Sequence, residues 1–335
     1  MPQRRVFSGM QPSGEAHLGN YLGALRQWVA LQDEAECIYC IVDYHAITGG
    51  YDPALLPERT FELAVAYLAV GLDPDRCTIF VQSDVPAHTE LMWLLNTVAP
   101  VGELERMTQY KEKVAGLESI PAGLLNYPIL QAADILIYHA DLVPVGEDQQ
   151  QHLELTREIA RRFNHRFGAY FTEPQPLISE VGRIRGLDGA AKMSKSQGNT
   201  VGILDSPEEI WQKVRQAVTD PQRVRRSDPG RPEVCNVCQM HRHFMAADRV
   251  VSLHEGCRTA TIGCVDSKRA LAEAMAAHFA PMRERAAEYR AHPSRVHEIL
   301  GDGAAHCRVL ASRTLREVRE RMGLGAGEPA HTTGA

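Results

Sequence analysis

The sequence predicts an α/β protein: a doubly wound parallel sheet with a second, smaller all-helical domain. Three observations predict it. Short β-branched runs alternate with longer amphipathic ones through the first half, as when helices join the strands of a parallel sheet. After about residue 185 that alternation fades into GLDGAAKMSKSQGNT, a Gly-, Lys- and Ser-rich stretch that reads as a mobile loop at a domain junction. The chain beyond this loop carries Ala, Leu, Glu and Arg at helical spacing. A chain of 335 residues exceeds what one hydrophobic core organises, and 44% apolar residues suffice for two. The expected division is a doubly wound α/β domain over residues 1–186, rejoined by a helix at about 298–324. A loop and helical domain fill 187–297, and 325–335 form a disordered tail.

Taken in order, a first strand ends at Phe7 and turns through Gly9, Pro12 and Gly14 into a helix starting near His17. Ala24, Leu25, Trp28, Val29 and Leu31 continue it. ECIYCIVDYHAI is the next buried strand; its Cys37 and Cys40, an odd number apart, face opposite sides of the sheet as packing thiols. Leu63, Tyr67, Leu68 and Val70 mark a helix closed by Gly71, before the strand RCTIFVQS. A helix bearing Asp134 then precedes the strand ADLVPVG and a helix start at Glu147, Asp148 and Gln149. Later helices are expected from Pro207 to Val218, Lys268 to Tyr289 and Ala304 to Met322.

Bulk properties narrow the function. No run of eighteen apolar residues is present, which argues against membrane insertion, and MPQRRVFSGM lacks the apolar stretch of a secretion signal, so a cytoplasmic location is expected. Eight cysteines in that compartment are free thiols or metal ligands rather than a disulfide frame. A net charge of −6 offers no global attraction to nucleic acid, so RNA binding needs a local patch. Lys213 to Arg231, with six Lys/Arg against two Asp, is such a patch, or a solvated helix face.

Two segments point to phosphate chemistry. In FSGMQPSGEAHLGNYLGAL the strand-to-helix turn aims backbone N–H groups and a helix dipole at one cavity, although neither the dinucleotide nor the Walker glycine pattern is present. An ordinary tight turn is the plain alternative. In Lys192-Met193-Ser194-Lys195-Ser196 two cations and two hydroxyls would meet a polyphosphate when the loop closes. A solvated basic loop is the alternative there, and the pairing of the two segments argues against both.

HLGN at residues 17 to 20 and KMSKS resemble the two signatures of class I aminoacyl-tRNA synthetases. The likeness extends through FSGMQPSG, GALRQW, CIVDYHAIT, LAVGLDP, VPAHTE, GELERMTQYKEK, AADIL, VPVGEDQQQHLELTREIARRFN and AVTDP, which resemble tryptophanyl-tRNA synthetases over roughly two thirds of the chain. The resemblance implies a Rossmann-like catalytic domain, a helical domain that reads the anticodon of tRNA(Trp), and a homodimer. It implies that ATP and Mg²⁺ activate L-tryptophan to an adenylate, which the 2′-OH of the tRNA end then attacks.

Site residues come from the same resemblance. Asp134 accepts the indole N–H, since an apolar side chain would leave that carboxylate unpaired. Tyr127 and Gln149 hold the α-amino group, while Phe7, Gly9, Val42, His45, Val143 and Val145 wall the pocket. Gln131 stands where some relatives have methionine. Gln11, His17, Gly19, Asn20, Lys111, Lys192, Met193, Ser194 and Lys195 meet ATP, with Gly146 and Asp148 near its ribose.

Cys235, Cys238, Cys257 and Cys264 have a chelating spacing that suits an iron-sulfur cluster or zinc, with four packed thiols as the alternative. A subgroup of the resembled family carries a [4Fe-4S] centre with spacing C-x22-C-x6-C-x2-C. Three of its positions fall on Cys235, Cys257 and Cys264, with one residue fewer in the first gap, and the fourth falls on Ser267. Two other readings stay open: a ligase of the same fold without a tRNA step, and a non-enzymatic paralogue.

Overall fold

The structure, a computed structural model, describes residues 4–146, 149–178, 184–189, 193–194 and 197–325. Five strands among them, β1 (Arg5–Met10), β2 (Glu36–Ile41), β3 (Cys77–Val81), β4 (Leu142–Val145) and β5 (Gln175–Ile178), form one parallel sheet in the order β3-β2-β1-β4-β5. β1 outruns its expected end at Phe7 because pairing with β2 continues to Met10 opposite Ile41. β5 escaped the sequence reading. Its QPLI is short, largely exposed and holds a proline, so it lacks the apolar signal of the inner strands. The sheet order reverses between β1 and β4, which opens a crevice at their carboxyl ends.

α1 (Leu18–Asn20) passes through a π-helical turn at Tyr21–Leu25 into α2 (Arg26–Leu31). α3 (Asp43–Ala46) follows β2, and α4 (Leu56–Val70) closes on Gly71 in the left-handed region at φ 110°, as its sequence predicts. Between β3 and β4 run α5 (Ala87–Asn96), α6 (Val101–Arg106), α7 (Thr108–Val114) and α8 (Ala122–Leu136), and α9 (Gln150–Phe167) joins β4 to β5. α10 (Pro207–Val214) starts on a reciprocal Ser206/Glu209 capping box. It stops short of Val218, whose N–H is taken 2.7 Å away by the Leu187 carbonyl.

The last helices are α11 (Asn236–Phe244), α12 (Ala247–Arg258), α13 (Cys264–Ala291) and α14 (Pro293–Arg321). The expected boundary at 297/298 falls inside α14, since Pro293 already fits a first helical turn and ends α13 before it. The sheet separates two apolar cores. Cys37 lies in one and Cys40 in the other, as their odd separation requires. One core gathers α2 and α4, and extends through Leu271, Met275 and Phe279 of α13 into the helical region. The other gathers α5, α8, α9 and α14. The tail beyond 325 lies outside the described residues.

Candidate active site and thiol cluster

Beyond β1 the chain turns at Gly14, φ 123°, and His17 caps the next helix. Its Nδ1 accepts the Gly19 N–H at 3.1 Å, while Asn20 Oδ1 accepts the His17 N–H at 3.1 Å. His17 and Asn20 thus fill the places of Ser and Glu in a capping box, and the π-helical turn comes at once after them. The segment after the KMSKS run docks here: the Leu18 N–H reaches the Val201 carbonyl at 2.8 Å and Ile203 N–H reaches Ala16 at 3.1 Å. Met193 is buried, its Cβ 3.5 Å from where a side chain on Gly19 would begin. Ser194 N–H donates to Asn199 Oδ1 at 2.7 Å. The two signature segments therefore meet, as expected. Lys192, Lys195 and Asp148 lie outside the described residues; Gln11 is half-buried and Gly146 exposed.

Asp134 stands 2% exposed on α8. Gln82 Nε2 donates to both its oxygens at 2.7 and 2.9 Å, His88 Nδ1 to Oδ1 at 2.7 Å, and His45 Nε2 to Oδ2 at 2.9 Å. Burial alone would raise this carboxyl; the histidine hydrogen bonds and charges outweigh it and hold it at about 2. A carboxylate has about four acceptor positions, and these contacts occupy all of them, so a further donor must displace one of the three side chains. Tyr127 and Gln131 precede Asp134 on the same helical face. The Tyr127 ring meets His45 edge-on at 6.4 Å, and its hydroxyl lies 2.8 Å from His152 Nε2 and 3.3 Å from Gln109 Oε1.

Phe7, Val42, Val143 and Val145 are buried in the core that holds this face of α8. At Gly9 a Cβ would come within 2.8 Å of Val42, so only glycine lets β1 pass there. Gln149 caps α9. Lys111 is exposed on α7. Lys113, also exposed over much of its length, sets Nζ 4.1 Å from the Tyr127 ring centroid, where burial lowers its pKa. Sequence reading assigned no role to Gln82, His88 or Lys113. Only VPAHTE and TQYKEK, quoted for their resemblance, pointed near them.

The profile of the family described as tRNA synthetases class I (W and Y) matches residues 2–280. The chain belongs to that family. It is 53% identical to the tryptophan–tRNA ligase of Deinococcus radiodurans, over 95% of this chain and 98% of that one. It is 47% identical to that of Caldanaerobacter subterraneus, over 96% and 98%. Among solved structures, tryptophanyl-tRNA synthetase of Campylobacter jejuni, complexed with ADP and tryptophan, superposes with a TM-score of 0.87 at 37% identity, covering 96% of this chain and 100% of that one.

In the helical part of the synthetase, three helices each offer a pair of residues three apart: Cys238 and His241 on α11, His254 and Cys257 on α12, Cys264 and Ser267 on α13. Cys235, Cys238 and Cys257 are buried; Cys264 is half-exposed. A hydrogen bond from Cys238 draws the Cys235 thiol down to about 6 and pushes Cys238 well up. Cys238 Sγ and one ring nitrogen each of His241 and His254 lie within 4.8 Å of one another. The two histidines were passed over in the sequence because nothing in HRH or SLHEGC separates a ligand from a core histidine.

The basic segment is less available to RNA than its composition suggests. Lys213 is held by Asp205 at 2.7 Å, and Arg231 grips Asp220 at 2.6 and 3.0 Å. Arg223 is buried, donating to the Arg226 and Ile262 carbonyls at 3.0 and 2.6 Å. Arg215, Arg225 and Arg226 remain exposed.

Proposed function

We propose that the synthetase activates L-tryptophan with ATP to tryptophanyl-adenylate, releases pyrophosphate, and transfers the amino acid to tRNA(Trp). The observation that carries this is Asp134: a buried, ionised carboxylate held by Gln82, His88 and His45 beside the sheet's switch point. An indole N–H would take the place of one of these donors at the carboxylate, and phenylalanine or leucine offers no N–H for that exchange.

The remaining roles belong to the same proposal. Phe7, Gly9, Val42, His45, Val143 and Val145 enclose the indole beside Gln131, and Tyr127 and Gln149 orient the α-amino group. Gln11, His17, Gly19 and Asn20 face the phosphates from one side, and Lys192, Met193, Ser194 and Lys195 from the other. Gly146 and Asp148 meet the ribose. From α7, Lys113 at the Tyr127 ring complements Lys111. The carboxylate of tryptophan attacks the α-phosphorus in line, and positioning with charge neutralisation suffices without a protein nucleophile. When bound with ATP, Mg²⁺ would supply positive charge at the departing pyrophosphate. A cytoplasmic homodimer is part of this reading too, supported by the family resemblance; among the described residues no helix is long and apolar enough to cross a membrane.

ATP-pyrophosphate exchange tests the activation step, with tryptophan required and tyrosine, phenylalanine and leucine inert. Exchange only with a carboxylic acid that is not an amino acid would overturn it. Charging of a tRNA(Trp) transcript tests the second step, and affinity without aminoacylation would show a binding module instead.

Three positions of the resembled [4Fe-4S] centre fall on Cys235, Cys257 and Cys264, and the Cys238 thiol, hydrogen-bonded to Cys235 and Cys257, stands where it can supply the fourth thiolate. The fourth ligand position holds Ser267, buried at 5% exposure with its carbonyl 3.2 Å from His241 Nε2, and the half-exposed Cys264 lies at the very start of α13. A [4Fe-4S] cluster and zinc at Cys235, Cys238, Cys257 and Cys264 are the two forms of that expectation.

A further inference from the structure

We propose that Cys238, His241 and His254 form a mononuclear site for a zinc-class divalent ion, in place of a four-cysteine centre. The donors already converge, with Cys238 Sγ and a nitrogen of each ring mutually within 4.8 Å. A tetrahedral ion with bonds of about 2.0–2.3 Å needs ligand separations of roughly 3.3–3.8 Å, so a contraction of about one ångström closes the set.

The second observation concerns protons. His241 Nε2 lies 3.2 Å from the Ser267 carbonyl and His254 Nε2 lies 3.1 Å from the Cys238 carbonyl. A carbonyl only accepts, so an Nε2 facing one carries the hydrogen and leaves Nδ1 the lone pair; at His241 the Ser267 hydroxyl, 3.5 Å from Nε2, is the longer contact. Metal-bound histidines are oriented in this way, the second nitrogen donating to a fixed acceptor. His241 is fully buried and its Nδ1 has no hydrogen-bond partner in the fold, an acceptor left in the interior that a cation would satisfy.

Binding is written without redox change: the Cys238 thiol releases one proton to solvent, and its thiolate and two neutral imidazoles donate electron pairs to the ion. Cys235, three residues earlier, is hydrogen-bonded to Cys238. The ion would tie α11 to α12, and through the Ser267 carbonyl to α13.

The test uses the full chain, stripped with a chelator and titrated with Co²⁺ and then Zn²⁺. One ion per chain is expected, with the visible d–d bands of thiolate-bound tetrahedral Co²⁺ and a higher Tm. His254→Ala and Cys238→Ser should weaken Co²⁺ binding by more than about 100-fold, the upper range for losing merely an outer-shell partner. Cys264→Ser should leave it intact. Tryptophan-dependent pyrophosphate exchange and circular dichroism report whether each variant is folded, and His241→Asn replaces any that is not. Less than a tenth of an ion per chain, retention in the histidine variants, or loss in Cys264→Ser overturns the proposal. So does anaerobic reconstitution that gives four irons per chain and survives His254→Ala. None of these outcomes bears on the exchange reaction itself.

Discussion

Asp134 carries a pH-dependent share of the fold's stability. Its carboxyl is depressed in the fold to about 2 from an ordinary 3.8, so its contribution is complete above pH 4 and is lost as pH falls toward 2. That shift corresponds to about 2 kcal/mol. Asp134→Asn should flatten the pH dependence of urea unfolding across that window, and an unchanged profile would refute the assignment. The same variant should lower kcat/KM for tryptophan in pyrophosphate exchange by about 10- to 100-fold, the worth of a hydrogen bond to a charged group. On α7, Lys113→Met should cost about tenfold in exchange, because Lys113 Nζ already sits at the Tyr127 ring, 4.1 Å from its centroid. Lys111→Met is the control, and an equal or greater loss there would return the role to Lys111. Sequence reading found Asp134, His45 and Tyr127 because they sit in recognisable segments. It did not find Gln82 and His88, since hydrogen bonds across 52 and 46 residues leave no local pattern.

At the scale of elements, helix positions were legible wherever apolar spacing and a stop signal coincided, as in α4 with its Gly71 cap. Ends set by tertiary pairing were not. α10 stops where Leu187 captures the Val218 N–H, and β1 runs on to Met10 because β2 is there to pair with it. α14 illustrates a packing constraint invisible along the chain. A Cβ on Gly303 would lie 2.0 Å from the Ile79 carbonyl oxygen of β3, whereas one on Gly301 would meet open space. Gly303→Ala should therefore destabilise by about 3 kcal/mol, as overpacking against backbone does. Gly301→Ala should stabilise by about 0.5–1 kcal/mol, through helix propensity alone. Chemical denaturation of both variants checks the pair, and equal midpoints would refute the packing.

In the molecule as a whole, the helical region is not an appendage. Tyr21 of the first signature bonds His278 of α13 at 2.8 Å and packs edge-on against Phe279 at 5.4 Å, and a single apolar core runs from the sheet into that helix. Calorimetry should accordingly give one cooperative transition, and two resolved transitions would show that the domains are independent. The sequence by itself determined the fold class and the family, and singled out the two signature segments and Asp134. Periodicity, turn chemistry and contiguous motifs are local properties, written within a few turns of chain. Only the tertiary structure decided that Cys238 faces two histidines, that Lys113 reaches the Tyr127 ring, and that half the basic segment is taken up by internal partners. Those outcomes depend on which distant helices share a face, and the free energy of that packing is not a property of any one stretch of sequence.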